Sequence, residues 1–164
     1  MIETVKDRVS ISQLMRDLNL EVVYMPEKEE YFVESEDVNR TGLPLAGYFE
    51  YFPYERIQII GKTEYTYFQN ISKKEREEVL DKFFSYEIPV LIVTRGLEVD
   101  KDIIKKAKKY QRIVLSSKSN TTRFINRLSN YLDSKLAPHV TIHGVLVDVY
   151  GIGVLIKGES SIGK

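Results

Sequence analysis

The sequence predicts an α/β fold, in which a three-layer α/β/α N-terminal domain with a mainly parallel sheet is followed by a β-hairpin. Predicted strands and amphipathic helices alternate from residue 57 to residue 136, which is typical of a parallel sheet covered by helices on both faces. Two of these strands are continuous apolar runs, as in strands that are buried on both sides. After Pro138 the sequence becomes rich in β-branched residues around a glycine turn, which indicates a hairpin.

The first two predicted elements are a helix and a short strand. Ser10 is suited to cap a helix over Ile11–Leu18, and Gln13 stands at the capping-box position. Glu21–Tyr24 predicts a strand, which Pro26 ends.

The next part of the chain combines a loop, a strand and an ambiguous segment. Val38–Tyr48 contains two glycines and a proline, and these residues predict a loop or turn. Arg56–Ile60 predicts a strand that is followed by a glycine. Thr63–Asn70 fits one or two helical turns, but its tyrosines also suit a strand.

Three helices and two buried strands follow. Ser72 and Glu75 form a capping box that opens the clearest helix. The strands are predicted over Val90–Val93 and Arg112–Leu115, and a helix over Val99–Tyr110 connects them.

Apolar side chains at helical spacing identify the buried face of each helix. The last helix is expected to begin at Asn120 or Thr121. The predicted apolar faces are Val79, Leu80, Phe83 and Phe84 in the first helix, Ile103, Ile104, Ala107 and Tyr110 in the second, and Phe124, Ile125, Leu128, Tyr131, Leu132 and Leu136 in the third. The lysines at positions 105, 106, 108 and 109 are expected to form a solvated helix face.

Pro138 marks the predicted boundary between two domains. Residues 1–137 would form the N-terminal α/β domain, and residues 138–164 would begin a second domain. The second part predicts a strand from His139 to about Tyr150, a glycine turn, and a strand over Val154–Ile156.

Composition excludes several classes of protein. Lys plus Arg total 24 and Asp plus Glu total 24, so the formal net charge is zero, which argues against nucleic-acid binding. The chain has no cysteine and only two histidines, His139 and His143, so we predict no metal ligands in it. No apolar run is long enough to cross a bilayer, and the charged N-terminus is unlike a signal peptide. We therefore expect a cytoplasmic protein that binds neither nucleic acid nor membranes.

The end of the sequence fits G-x-x-x-x-G-K, the pattern of a phosphate-binding loop. The matching residues are Gly158, Glu159, Ser160, Ser161, Ile162, Gly163 and Lys164. In such a loop the backbone N–H groups point at phosphate oxygens, and the lysine places a cation on the phosphates. The alternative is a Gly/Ser-rich turn. A phosphate loop continues into a helix after its lysine, so we expect the sequence to be a fragment of a longer protein.

Several segments together resemble the bacterial HPr kinase/phosphorylase family. The resemblance is densest over residues 138–164 and includes the run HGVLVDVYGIGVLIKGESSIGK from His143 to Lys164. It extends upstream to Arg40–Gly47 and Arg56–Gly61 and covers the whole chain. The chain is therefore identified as a member of this family.

The resemblance implies a function and an assembly. Members phosphorylate a regulatory serine of HPr with ATP or pyrophosphate and Mg²⁺, and they remove that phosphate by phosphorolysis. The resemblance also implies a homo-hexamer, a role in carbon catabolite repression, and a P-loop kinase domain that starts with the hairpin. The N-terminal domain would be similar to the first domain of a ligase of murein synthesis. The residues that hold Mg²⁺ would lie beyond position 164.

The resemblance also assigns roles to individual residues. Gly158–Lys164 would bind the phosphates of the nucleotide or of pyrophosphate, with Lys164 neutralising charge on the transferred group. His143 matches a histidine of the family's active site, although the sequence alone would favour a structural histidine there. Ser161 stands where the family usually has glycine, and Thr41 where it usually has proline. A side chain at position 161 could crowd the loop.

Two further interpretations stay open. Residues 1–136 could be a non-enzymatic regulatory domain, for ligand binding or interaction, attached to a degenerate phosphate loop with Ser161 as the lesion. The aromatic segment Tyr48–Tyr54 could pair with a second copy of the chain or pack locally against the sheet. Residues 1–164 by themselves are expected to have no kinase or phosphorylase activity.

Overall fold

The structure, a computed structural model, describes residues 2–5, 7–27, 30–142 and 144–158. The chain divides into two compact units. We call residues 8–136 the sheet unit, and we call residues 1–7 together with 137–164 the hairpin unit. The division into domains 1–137 and 138–164 stays a prediction.

The described residues form eleven strands and six helices. The strands are β1 (Ile2–Val5), β2 (Val9–Ser10), β3 (Glu21–Tyr24), β4 (Phe32–Val33), β5 (Val38–Arg40), β6 (Ile57–Ile60), β7 (Leu91–Val93), β8 (Val114–Ser116), β9 (His139–Ile142), β10 (Gly144–Val149) and β11 (Ile152–Lys157). The helices are α1 (Ile11–Leu18), α2 (Gly42–Leu45), α3 (Lys62–Asn70), α4 (Lys73–Ser85), α5 (Lys101–Tyr110) and α6 (Thr121–Leu136).

A five-stranded sheet is the centre of the sheet unit. Its strand order is β3-β8-β7-β6-β5. Strands β5 to β8 run parallel, and β3 pairs with β8 in the antiparallel direction at one edge. Ile92 of β7 is in register with Ile59 on one side and with Leu115 on the other. The prediction of a mainly parallel sheet is confirmed.

Apolar side chains alternate between the two faces of this sheet. Ile59, Ile92 and Leu115 face a cluster that includes residues of α1 and α6. Ile60 and Val93 face a second cluster, with residues of α2, α3, α4 and α5. Helices therefore cover both faces, which confirms the predicted three-layer α/β/α arrangement.

The predicted helix caps are present. Ser10 Oγ accepts a hydrogen bond from Gln13 N at 3.1 Å, and Ser72 Oγ accepts one from Glu75 N at 3.2 Å. Helix α5 begins two residues later than predicted, because the Asp100 carboxylate caps it. Each cap satisfies an N–H group that the first helical turn leaves without a partner.

The prediction of a loop over Val38–Tyr48 is wrong in part. It contains strand β5, which pairs in parallel with β6, and the short helix α2. Pro44 is tolerated in α2 because the first turn of a helix does not need its N–H groups as donors. The ambiguous segment Thr63–Asn70 is helical and belongs to α3.

Two lysines of the predicted solvated face of α5 form ion pairs. The Nζ atoms of Lys106 and Lys109 both lie 2.9 Å from carboxylate oxygens of Asp81 on α4. Tyr110 Oη also donates to this carboxylate, at 3.1 Å. Part of the lysine face therefore ties α5 to α4.

The aromatic segment Tyr48–Tyr54 divides between the core and the surface. Phe49 and Phe52 are buried and contact the ring of Tyr86, at centroid distances of 5.9 and 5.0 Å. Tyr51, in contrast, is 93% exposed. Local packing therefore accounts for the two phenylalanines.

The hairpin unit contains two antiparallel strand pairs. Strand β1, which was not predicted, pairs with β9, and β10 pairs with β11. The predicted first strand of the hairpin is thus two strands, with different partners. The turn lies at Tyr150 and Gly151, whose φ angles of 53° and 78° are typical of a two-residue hairpin turn.

None of the helices that the structure describes combines the length and the apolarity needed to cross a membrane.

Candidate functional site

The predicted phosphate-binding loop follows directly from the hairpin. Lys157, the last residue of β11, is paired with Gly144, and Gly158 comes next. A Cβ atom added at Gly158 would meet none of the described residues within 4 Å. The order of strand and then glycine-rich loop is the one that a phosphate loop requires.

Most of the predicted site lies outside the described residues. This holds for His143 and for positions 159–164, which include Ser161, Gly163 and Lys164. Their assignment to phosphate binding and catalysis therefore stays a prediction. The donor set of this segment, backbone N–H groups and one ammonium group, fits a phosphate chain by its chemistry.

A second region of interest is the carboxyl edge of the parallel strands in the sheet unit. Ligands of open α/β sheets bind outside this edge. Arg40 ends β5, Gly61 follows β6 and Thr94 follows β7. The side chains of Arg40 and Thr94 and the backbone N–H of Gly61 therefore lie along one edge.

Arg40 and Glu64 form a bidentate ion pair at this edge. Arg40 Nε donates to Glu64 Oε1 at 2.7 Å, and a terminal guanidinium nitrogen donates to Oε2 at 3.1 Å. Gly61 N also donates to Glu64 Oε2, at 3.0 Å. Burial by itself raises the pKa of the Glu64 carboxyl, but these hydrogen bonds outweigh it and hold the pKa below the ordinary value. The ionised carboxylate therefore ties β5 to the start of α3.

The space behind this ion pair is filled. A Cβ atom at Gly61 would lie 2.9 Å from both Cγ2 and Oγ1 of Thr121, so only glycine fits. Thr121 Oγ1 lies 2.7 Å from Thr94 Oγ1, and the latter donates to Ile60 O at 3.2 Å. Because these polar groups satisfy one another, we assign this part of the edge a structural role.

The Arg40–Glu64 pair was not predicted from the sequence. The sequence predicts a loop at Arg40, since Val38 is the one apolar residue of the three-residue strand β5. The sequence does contain one indication of the role of Glu64, which stands three residues after Gly61 at the capping-box position of α3. Its arginine partner depends on the neighbouring position of β5 and β6, which the local sequence does not specify.

No group of three or more His, Cys, Asp or Glu side chains is arranged to hold a metal ion, as far as the described residues are concerned.

A solved structure has a similar fold. It contains the CBS and DRTGG domains of the regulatory region of a Clostridium perfringens pyrophosphatase. The TM-score is 0.54 at 18% identity, and the match covers 78% of this chain and 50% of that one. At this identity the similarity concerns the fold alone.

Curated relatives are much more similar in sequence. An HPr kinase/phosphorylase of Peptoclostridium acidaminophilum is 52% identical over 96% of this chain and 51% of its own length. One from Caldanaerobacter subterraneus is 54% identical over 96% of this chain and 52% of its own length. The chain thus spans about half the length of the curated relatives it matches.

Two family models match successive parts of the chain. Residues 9–132 match the model described as HPr Serine kinase N terminus. Residues 134–164 match the model described as HPr Serine kinase C-terminal domain. The first match alone covers most of the sequence, and the chain belongs to the HPr kinase family.

Proposed function

We propose that this chain is part of an HPr kinase/phosphorylase. The full-length enzyme would phosphorylate a regulatory serine of HPr with ATP or pyrophosphate, and would remove that phosphate by phosphorolysis. The observation that carries this proposal is the match of residues 134–164 to the C-terminal domain of the family, with the G-x-x-x-x-G-K pattern directly after β11.

The proposed phosphate site is the loop Gly158–Lys164. Its backbone N–H groups would bind phosphate oxygens, and the Lys164 ammonium would neutralise the charge that develops on the transferred phosphoryl group. Mg²⁺, when bound, supplies further charge neutralisation at the phosphates. We place its ligands in the part of the longer relatives that corresponds to positions after 164.

His143 is proposed as a second catalytic residue. It precedes β10 in the hairpin that leads to the loop. The ordinary pKa of a histidine side chain is about 6.5, so this residue type can hold or release a proton under physiological conditions.

The remaining proposals concern assembly and context. We propose HPr as the protein substrate, a homo-hexamer as the assembly, and carbon catabolite repression in the cytoplasm as the setting. Residues 1–137 would serve as a structural or regulatory domain, and residues 138–164 would begin the catalytic domain.

The direct test is the intact mass of HPr after incubation with Mg-ATP. One sample contains residues 1–164, and a second contains the same chain extended past Lys164 by the C-terminal part of the Peptoclostridium relative. We expect HPr to gain one phosphoryl group only with the extended chain. HPr that stays unmodified in both samples would contradict the kinase assignment and favour the non-enzymatic regulatory domain, with Ser161 as the lesion in the loop.

A second test separates the loop from the rest of the chain. Binding of pyrophosphate to residues 1–164 is measured by isothermal titration calorimetry, before and after Lys164→Met. Lys157→Met serves as the matched control, since this lysine ends β11 outside the pattern. We expect weaker binding with Lys164→Met alone. Equal effects of both substitutions would show that the loop lysine has no special role.

A further inference from the structure

The helices of the sheet unit change sides after β8. Helices α3, α4 and α5, which follow β6 and β7, contribute to the cluster on one face of the sheet. Helix α6, which follows β8, contributes to the cluster on the other face. The loops after the neighbouring strands β7 and β8 therefore leave toward opposite faces. Open α/β sheets bind small ligands at such points.

A small polar cavity lies at the end of β8. Its volume is about 90 Å³, well above the ~10–15 Å³ that one water molecule needs. Among its lining residues are Ser116, Ser117, Ser119, Lys118 and Arg127. Hydroxyl, ammonium and guanidinium groups are the donors that bind phosphate oxygens.

Hydrogen bonds hold the loop that carries the serines. Ser117 N donates to Val93 O at 2.9 Å, and Gly96 N donates to Ser117 O at 2.9 Å. Arg95 N donates to Ser119 O, also at 2.9 Å. The loops after β7 and β8 are thus joined at two points, so the donors of the cavity are positioned before a ligand arrives.

The charges at the cavity favour an anion. Arg127 donates to Ser119 Oγ at 3.3 Å and to Leu18 O at 3.4 Å, and it forms no ion pair within the described parts of the chain. Lys118 Nζ lies 3.2 Å from Glu21 Oε1, but both side chains are mostly exposed, so this pair is weak. The Glu21 carboxylate is the one acidic group lining the cavity, and it would compete with an incoming anion.

A larger cleft adjoins the small cavity. Its volume is about 390 Å³, and it shares Glu21, Ser116 and Lys118 with the small cavity. Apolar side chains, including Leu97 and Ile104, form much of the remaining wall. This volume and this mixture of apolar walls with a few polar groups are typical of small-molecule sites.

We propose that the end of β8 binds the phosphate group of a small phosphorylated organic molecule. The small cavity takes the phosphate, between the serine hydroxyls and Arg127, and the larger cleft takes the organic part. This site is built from residues of the sheet unit and includes no residue of the loop at 158–164, so it goes beyond the proposed kinase function.

The test uses phenyl phosphate and inorganic phosphate as probes of residues 1–164. The loop at 158–164 is also expected to bind phosphate, so the readout must be specific to the site. The amide ¹H–¹⁵N chemical shifts of Ser117 and Ser119 provide it. We expect saturable shifts with both probes and at least tenfold tighter binding of phenyl phosphate. Equal affinities would overturn the assignment of the larger cleft to an organic group, and unsaturable shifts would overturn the site.

Substitutions identify the groups that bind. Arg127→Met is expected to weaken phenyl phosphate binding at least tenfold, and Glu21→Gln is expected to strengthen it by removing the competing carboxylate. Arg123→Met is the matched control, because Arg123 is exposed on the same helix one turn earlier. An unchanged affinity in Arg127→Met would overturn the proposal.

A last variant separates this site from the proposed function. In Lys164→Met the response of Ser117 and Ser119 is expected to persist even if pyrophosphate binding to the loop is lost. Loss of the Ser117 response in this variant would assign the phosphate site to the loop instead and overturn the inference.

Discussion

The sheet unit and the hairpin unit contain the same kinds of apolar residues but bury them differently. Ile92 and Phe124 in the sheet unit are 0% exposed. Leu146 and Ile152 in the hairpin are 73% and 68% exposed. Strands β10 and β11 pair through their backbones, but their side chains are mostly exposed among the described residues, whereas helices pack on both faces of the five-stranded sheet. An apolar strand in a sequence therefore predicts pairing more safely than it predicts burial.

The two units also differ in how they hold their carboxylates. In the sheet unit Glu64 is almost completely buried and receives three hydrogen bonds, from Arg40 and Gly61. In the hairpin unit Asp148 is exposed and accepts one, from Gly151 N at 2.8 Å. We therefore expect Glu64 to contribute more to the stability of the fold than Asp148.

The largest expected effect comes from removing a buried side chain. Phe124→Ala should lower the free energy of unfolding by about 3–5 kcal/mol, because it opens a cavity between α6 and the sheet. Leu155→Ala, at a half-exposed position of the hairpin, should change it by less than about 0.5 kcal/mol. Urea unfolding followed by far-UV circular dichroism measures both. A loss with Leu155→Ala as large as that with Phe124→Ala would remove the distinction between the units.

An intermediate effect is expected at the Arg40–Glu64 pair. Glu64→Gln should cost about 1.5–3 kcal/mol at neutral pH, because it weakens charge-assisted hydrogen bonds in a buried position. Asp148→Asn is the hairpin counterpart and should cost less than about 0.5 kcal/mol. The same urea titration applies, and similar costs for the two substitutions would contradict the comparison.

The pH dependence sharpens this second prediction. The pKa of Glu64 in the folded chain is below its ordinary value of 4.5, so the ionised carboxylate stabilises the fold above that pH. This stabilisation is lost as the pH falls through the lower pKa of the folded state. Wild type should therefore lose more stability than Glu64→Gln on acidification below about pH 4.5.

The smallest effect is expected at Asp81. Hydrogen bonds from Lys106 and Lys109 lower its pKa from 3.8 to about 2, so its stabilising contribution is lost as the pH falls from 3.8 toward 2. The Asp81 side chain is 36% exposed, and solvent screening limits the contribution to about 0.5–1 kcal/mol. Asp81→Asn should lower the free energy of unfolding by this amount at low salt and by less at 1 M NaCl. A cost that is independent of salt would indicate a packing effect.

Elements with strong local signals could be predicted from the sequence. Ser10 and Ser72 cap the helices that the sequence places after them, and the apolar run at β7 is buried as expected. The hairpin turn was placed within two residues, because few residues other than glycine adopt the positive φ at Gly151.

Elements that depend on distant partners could not be predicted. Strand β5 has three residues and one apolar side chain, and it is a strand because β6 lies beside it. Strand β1 pairs with β9 near the other end of the chain. The Arg40–Glu64 pair and the cavity at the end of β8 likewise combine segments that are far apart in sequence. Each follows from strand order, which no local pattern encodes.

The edge position of β3 has a consequence for the order of folding. Strands β5 to β8 join neighbours in sequence through single crossovers, so their contacts can form early, with short loops to close. Strand β3 can pair only after β8 is available, because Val22 is in register with Leu115, which comes much later in the sequence. The N-terminal segment of the sheet unit should therefore dock late, and a nascent chain would keep it unpaired until β8 has been synthesised.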